Sequence, residues 1–285
     1  MNKKAHNMRL IVTADDFGRS ASVNRAVEQA AESGILTCAG LMVTGQAAGD
    51  AVRIAQSLPQ LQVGLHLTLT ELPPRLREQR HPLLHARDGS CLNSPARVGL
   101  ALQFSKKVAQ QVEREVAAQF EAFARTGLPF EHVDCHHHLH IHPKLFDIVL
   151  KYALEYHLKS IRVPVELWPI SGPLCTGHGL RNLAYRMVFG LLGAACRKKL
   201  SRTNLVTCDG VFGLYQTGEI SEQWLLGLLD KLQNLQGVYE LYVHPEYDHG
   251  YQGFRELEAL VSQAVRKKIE DSGVELVRYR DMGQC

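Results

Sequence analysis

The chain has 285 residues, 45% of them hydrophobic and 21% charged, with a net charge of +3. That length supports one large domain or two small ones, and a charge so near neutral leaves no electrostatic footprint for nucleic acid. No window reaches the roughly 20 apolar residues of a bilayer crossing, and no N-terminal stretch has the charged start, apolar run and cleavage site of a secretory signal.

The seven cysteines (Cys38, Cys91, Cys135, Cys175, Cys196, Cys208 and Cys285) are scattered, odd in number and without a CxxC pair. That pattern fits the reduced thiols of a cytoplasmic protein better than a disulfide framework.

Residues 1–7 are polar and read as a loose terminus. Met8 to Ala14 is an apolar, β-branched run and predicts a buried strand, with Asp15, Asp16 and Gly18 at its end. A helix follows from about Val23 to Glu32, capped by Ser20 or Ser22 and closed by Gly34. Cys38–Thr44 predicts a second strand, Ala48–Ser57 a helix, and Gln62–Leu69 a third strand carrying His66. Residues 70–107, with Pro73, Pro74, Pro82 and Pro95, predict a long irregular loop or lid. Val108–Ala124 has Val112, Val116, Phe120 and Phe123 on one helical face.

The next stretch concentrates the chemistry. Six of the 14 histidines lie between His132 and His142. Phe130–Asp134 predicts a strand, and Pro143 opens a helix to about Tyr156, since proline suits a first helical turn. If the chain stays extended, His132, Asp134, His136, His138 and His140 share one face, as a metal site would need. The plainer alternative is a string of loop histidines bonded to carbonyls and water. Cys135 beside His136 is expected to face the other way and pack, with a ligand or nucleophile as the alternative. Lys159–Val163 predicts a strand that delivers Arg162.

Residues 164–205 form an apolar insertion with a basic bias. Between Arg181 and Arg202 lie Arg186, Arg197, Lys198 and Lys199, and no acid. A basic, apolar helix can lie on an anionic membrane surface; the alternative is a core helix with a solvated basic end. Beyond it, Ser221–Gln233 predicts a helix, Val238–Val243 a strand ending in His244-Pro245, Phe254–Asp271 a helix and Val274–Arg278 a last strand.

Alternating strands and helices, with nearly continuous apolar strands, predict a parallel sheet covered by helices. About seven strands fit a (β/α) barrel, closed or nearly so, with a doubly wound open sheet as the alternative. No GxGxxG or P-loop follows the first strand, which argues against nucleotide binding. Asp15 or Asp16, His66, the histidines around His136, and His244 all fall at strand C-terminal ends, where parallel folds build active sites. A carboxylate and two imidazoles can hold a metal with a position open for water. A second carboxylate can take the water's proton and a separate histidine can protonate the leaving group. This set suits hydrolysis of an amide or ester, but it does not separate Asp15 from Asp16.

Thr13-Ala14-Asp15-Asp16-Phe17-Gly18, Gly64-Leu65-His66-Leu67, His132-x-Asp134-x-His136-x-His138 and His244-Pro245 resemble the YdjC-like carbohydrate deacetylases. The resemblance runs over one domain, residues 8–281, and implies a distorted (β/α) barrel of the glycoside hydrolase/deacetylase type. It implies that Asp16, His66 and His136 bind a divalent metal, that Asp15 is the general base and His244 the general acid. Arg162 would orient Asp15 or contact substrate, with His138 and His140 supporting the site or touching substrate. Zinc suits two imidazoles and a carboxylate, with magnesium or another divalent ion as the alternative.

Phe104-Ser105-Lys106-Lys107-Val108, Ala118–Phe123 with Thr126-Gly127-Leu128-Pro129, and Val211-Phe212-Gly213-Leu214 resemble the hopanoid-biosynthesis-associated branch. That branch carries Asn and Lys where this chain has Asp134 and His137, so the His-rich stretch is nearer the diacetylchitobiose deacetylases. The implied substrate is an N-acetylglucosaminyl hopanoid lipid at the inner face of the membrane, with homodimerisation also suggested. The alternatives are a soluble chito-oligosaccharide deacetylase and a metal- or sugar-binding protein without turnover.

Overall fold

The computed structural model describes residues 8–76, 84, 94–175, 179–233 and 235–282. Eight parallel strands form one sheet: β1 (Arg9–Phe17), β2 (Cys38–Leu41), β3 (Gln62–Leu67), β4 (His132–Cys135), β5 (Ser160–Ile161), β6 (Gly210–Phe212), β7 (Val238–Val243) and β8 (Glu275–Leu276). Seven follow the order β5-β4-β3-β2-β1-β7-β6, and β8 joins the start of β1. The two edges approach each other, because Ser160 bridges Val206 and the Val211 N–H donates to the Val165 carbonyl. The result is the distorted (β/α) barrel expected from the sequence.

The helices cover the outside: α1 (Ala21–Ser33), α2 (Ala48–Ser57), α3 (Pro95–Phe104), α4 (Lys106–Ala124), α5 (Pro143–Glu155), α6 (Trp168–Ser171), α7 (Gly179–Leu200), α8 (Glu222–Leu232), α9 (Gln252–Val261) and α10 (Gln263–Ser272). Their starts follow local chemistry. Ser20, Ser94, Ser105, Ser221 and Ser262 each accept a backbone N–H from the first turn of the helix they cap. Val108, Val112, Val116, Phe120 and Phe123 of α4 are fully or almost fully buried, as their spacing predicts. Each such side chain contributes about 1.5–3 kcal/mol on leaving water.

Two expectations change and one strand is added. Residues 70–107 are not irregular throughout: α3 and the first residues of α4 lie within them. Ser94 supplies an N-cap and Pro95 a favourable first residue, while Val98 and Leu102 are buried. Residues 77–83 and 85–93 of that region, Pro82 among them, lie outside the described residues, as do 1–7, Cys91 and Cys285. The helix expected over Phe254–Asp271 is two helices, because Ser262 is extended and starts α10 anew. Gly210–Phe212 is an edge strand, too short to show a period in the sequence. The five described cysteines are free, and Cys135 is buried as expected.

Candidate active site

The C-terminal ends of β1, β3, β4 and β7 open into a cleft of about 1730 Å³, lined by Asp15, Asp16, His66, His136, His138 and His244 among others. Adjacent residues of a regular strand point to opposite faces, yet both Asp15 and Asp16 line this cleft. The reason is a break in register between Ala14 and Phe17 and a left-handed backbone at Asp16, φ +63°. Asp16 faces two imidazoles across this break. Its Oδ1 is 3.0 Å from His136 Nδ1 and 3.3 Å from His66 Nε2.

Those three atoms form one compact group, all within 4.8 Å of one another. Asp16 Oδ1 and His66 Nε2 are buried without a hydrogen-bond partner. An orphaned carboxylate oxygen beside an orphaned imidazole nitrogen is costly unless something else occupies the space between them. Two imidazoles and a carboxylate are the donor set a divalent cation takes, so these residues fit a metal. Burial opposes ionisation of Asp16, but His136 and His66 prevail and hold its carboxyl well below the usual range.

Behind this group sits a buried ionic core. Arg162, 1% exposed, follows the end of β5. It donates Nη1 to Asp15 Oδ2 at 2.7 Å and Nη2 to Asp15 Oδ1 at 2.9 Å. Its Nε and Nη2 reach Glu240 Oε1 at 3.0 and 2.6 Å, and Nη1 also pairs with Asp134. Asp134 Oδ2 is 2.9 Å from His66 Nδ1. A carboxylate behind a ligand histidine fixes its ring and leaves Nε2 free to face the cleft. Three buried carboxylates (Asp15, Asp134 and Glu240) thus share one buried guanidinium, and a fourth, Asp16, has only partly exposed Arg19. That excess negative charge is a second reason why a divalent cation suits the position beside Asp16. Gly40 of β2 leaves the necessary room: a Cβ there would sit 3.0 Å from His66 Cβ and 3.3 Å from Asp134 Oδ1.

The His-rich run does not stay extended. β4 stops at Cys135, and residues 136–141 form a tight turn with His137 (φ +53°) and His138 (φ +52°) left-handed. The shared face is therefore lost, and the histidines scatter. His132 stacks on Tyr279, ring centroids 4.1 Å apart, and burial lowers its pKa to about 3. His140 Nε2 donates to the Arg162 carbonyl at 2.7 Å, and burial brings its pKa down to about 4. His138 meets Tyr242 and Phe189 edge-on in the cleft wall. His137 Nε2 lies 2.9 Å from Glu71, which also contacts His136 and Arg19.

The structure brings Asp15, Asp16, His66 and His136 together, with Arg162 behind Asp15 and His244 at the same cleft. His244 stands edge-on to Tyr242, its backbone N–H held by buried Glu256. Sequence reasoning put Asp134 on a shared metal-site face rather than behind His66, and passed over Glu240, Glu71 and Arg19. Glu240 did leave a signal, a lone acid inside the apolar strand Val238–Val243. Glu71 left none, because its place depends on a loop pinned from a distance. Glu115 of α4 accepts the backbone N–H groups of Arg75 and Leu76, and Gln119 bonds both backbone groups of Thr68.

Curated relatives span the whole chain. A carbohydrate deacetylase of Brevibacillus brevis is 30% identical over 97% of this chain and 100% of its own length. A chitooligosaccharide deacetylase of Proteus mirabilis is 27% identical over 96% of this chain and 98% of its own. A crystal structure of an Enterococcus faecalis protein is similar at a TM-score of 0.74 and 25% identity, covering 97% of this chain and 99% of the other. The model of the family described as YdjC-like protein matches residues 9–271, and the chain accordingly belongs to the YdjC-like family.

Proposed function

We propose that this protein is a metal-dependent deacetylase that hydrolyses the N-acetyl group of an N-acetylglucosaminyl substrate. The observation that carries the reading is the group formed by Asp16, His66 and His136, with Asp15 next to it in a defined orientation. A divalent cation bound there would act as a Lewis acid toward the amide carbonyl and make water more acidic. Asp16 and the two imidazoles would hold it, and Asp134 would keep His66 in the tautomer that offers Nε2.

Asp15 is the proposed general base. Arg162 takes one lone pair from each Asp15 oxygen and fixes the carboxylate plane, leaving the remaining lone pairs to accept a proton from water at the cleft. The buried Arg162 holds Asp15 and does not itself reach substrate. His244 is the proposed general acid, protonating the amine as the C–N bond breaks, so that acetate and the free amine leave. His138, neutral because burial and Arg162 lower its pKa, is placed to contact a sugar hydroxyl or the acetyl group.

The substrate we favour is a lipid-linked amino sugar, an N-acetylglucosaminyl hopanoid. Support comes from the sequence stretches that resemble that branch and from the apolar wall that Tyr185, Val188 and Phe189 of α7 add to the cleft. A chito-oligosaccharide such as diacetylchitobiose is the second reading, favoured by the activity of the Proteus mirabilis relative.

The test offers both substrates side by side to the wild-type protein and to Asp15→Asn, and measures acetate. Release from the glycolipid by the wild type alone supports the whole reading. Release only from diacetylchitobiose keeps the chemistry and moves the substrate to soluble sugars. Equal release by Asp15→Asn would remove Asp15 from its assigned role.

A further inference from the structure

One face of α7 is left uncovered by the fold. Asn182, Gly193, Cys196 and Leu200 are buried and mark the side that meets the barrel. A Cβ on Gly193 would collide with Val165, so the contact there is close. Arg181, Tyr185, Val188 and Phe189 line the cleft. The remaining side carries Leu180, Leu183, Met187 and Leu191, which are 86%, 52%, 60% and 73% exposed. Their spacing of three and four residues puts them on one stripe. Continued along the helix, the stripe passes Ala194 to Lys198, and Arg202 follows just beyond the helix end; all three are exposed.

An apolar stripe of this kind on a folded domain marks a surface that meets something. Its charge says what. From Leu167 to Cys208 the sequence has six basic residues and no acid. Among the described residues only Lys199 of the six forms an ion pair, with Asp147. A second copy of the chain, docked stripe to stripe, would bring the same unbalanced positive charge against itself. An anionic lipid surface offers both complements, acyl chains to the leucines and headgroups to the basic end.

We propose that the outward face of α7 docks the protein on an anionic lipid surface, Leu180, Leu183, Met187 and Leu191 entering the interface and Lys198 and Arg202 meeting headgroups. No helix among the described residues is long and apolar enough to cross a membrane, so the contact is peripheral. The neighbouring face of the same helix walls the cleft, and docking therefore sets the cleft mouth at the lipid–water boundary. The inference rests on the deacetylase reading only for its use, which is the delivery of a lipid-linked amino sugar.

The test is co-sedimentation of the full chain with phosphatidylglycerol vesicles and with phosphatidylcholine vesicles. It is run on the wild type, on Leu183→Gln/Met187→Gln/Leu191→Gln, and on Lys198→Gln/Arg202→Gln. Light scattering in parallel gives the oligomeric state, and acetate release from soluble diacetylchitobiose gives the chemistry. The expected result is binding to the anionic vesicles that weakens with added salt. It falls at least tenfold in the triple variant, and the double variant loses the preference for phosphatidylglycerol. Thermal melts and soluble-substrate turnover stay unchanged in both. Absence of vesicle binding by the wild type overturns the proposal. So does a dimer that the triple variant dissolves, which would give the face to a second copy. Vesicle binding and acetate release are read separately, so a protein that binds vesicles but releases acetate from neither diacetylchitobiose nor the glycolipid refutes the deacetylase reading alone.

Discussion

Asp16 occupies a backbone conformation that suits glycine better than aspartate, at φ +63°. Left-handed backbone costs a non-glycine residue about 1 kcal/mol. Its ion pair with half-exposed Arg19 returns less than about 1 kcal/mol. Asp16 also adds a carboxylate to a site that already has three around Arg162. Asp16→Gly relieves that backbone cost but also removes the His136 and His66 contacts that hold the carboxyl low, so it is expected to melt near the wild-type temperature in metal-free buffer while losing metal binding. Calorimetry with and without zinc measures both, and a clear fall in the metal-free melting temperature would mean that Asp16 serves the fold.

Asp134→Asn keeps the shape of the side chain beside His66 but removes the charge. Second carboxylates of this kind are worth about 10–100-fold in metal affinity, and a loss of that size in a zinc titration is predicted.

Glu166 responds to pH away from the site. Burial raises its carboxyl to about 7, even though the Leu214 and Tyr215 N–H groups donate to it. A carboxyl whose folded pKa lies above its unfolded value holds an extra proton in the native state. Stability is thus lost as pH rises from about 4.5 through about 7, by up to about 3 kcal/mol. Glu166→Gln should raise the melting temperature at pH 8 and leave it unchanged at pH 4. The same gain at both pH values would show that ionisation is not the cause.

At the scale of elements, what the sequence showed and what it hid have separate physical causes. β7 and α1 were legible almost to the residue, because apolar runs and helical stripes are local signals. The sequence also showed that Asp15, Asp16, His66, His136 and His244 stand at strand ends. It could not show the turn at 136–141, where two left-handed histidines break the alternation that an extended chain would keep. Nor could it show that Arg162, which the resemblance paired with Asp15, also gathers Asp134 and Glu240, since these lie on or just after four separate strands and meet only in the folded sheet. The division of α9 from α10 rests on one serine. Ser262→Ala removes the side-chain acceptor for the Val265 N–H and its bond to Glu222. A loss of about 1 kcal/mol is expected in urea unfolding.

At the scale of the whole molecule, the barrel concentrates charge at one end. Its strands carry apolar side chains through most of their length, and the polar groups cluster where β1, β3, β4, β5 and β7 finish. Such a cluster is expensive in a low-dielectric interior unless each member is paired. Arg162 pairs three carboxylates, Arg19 partly covers Asp16, and Asp16 Oδ1 and His66 Nε2, buried without hydrogen-bond partners, face each other at the cleft. That surplus is the physical basis for proposing a divalent cation at this end of the barrel.

The most direct measurement strips the protein with chelator, adds zinc back in substoichiometric steps, and follows bound metal and acetate release together on one N-acetylglucosaminyl substrate. Stripping is expected to abolish release, and activity to return in proportion to metal bound, reaching its plateau at one ion per chain; His66→Ala is expected to show neither effect. Full acetate release from chelated, metal-free protein, or restoration of His66→Ala by the same additions, would contradict the metal-dependent reading.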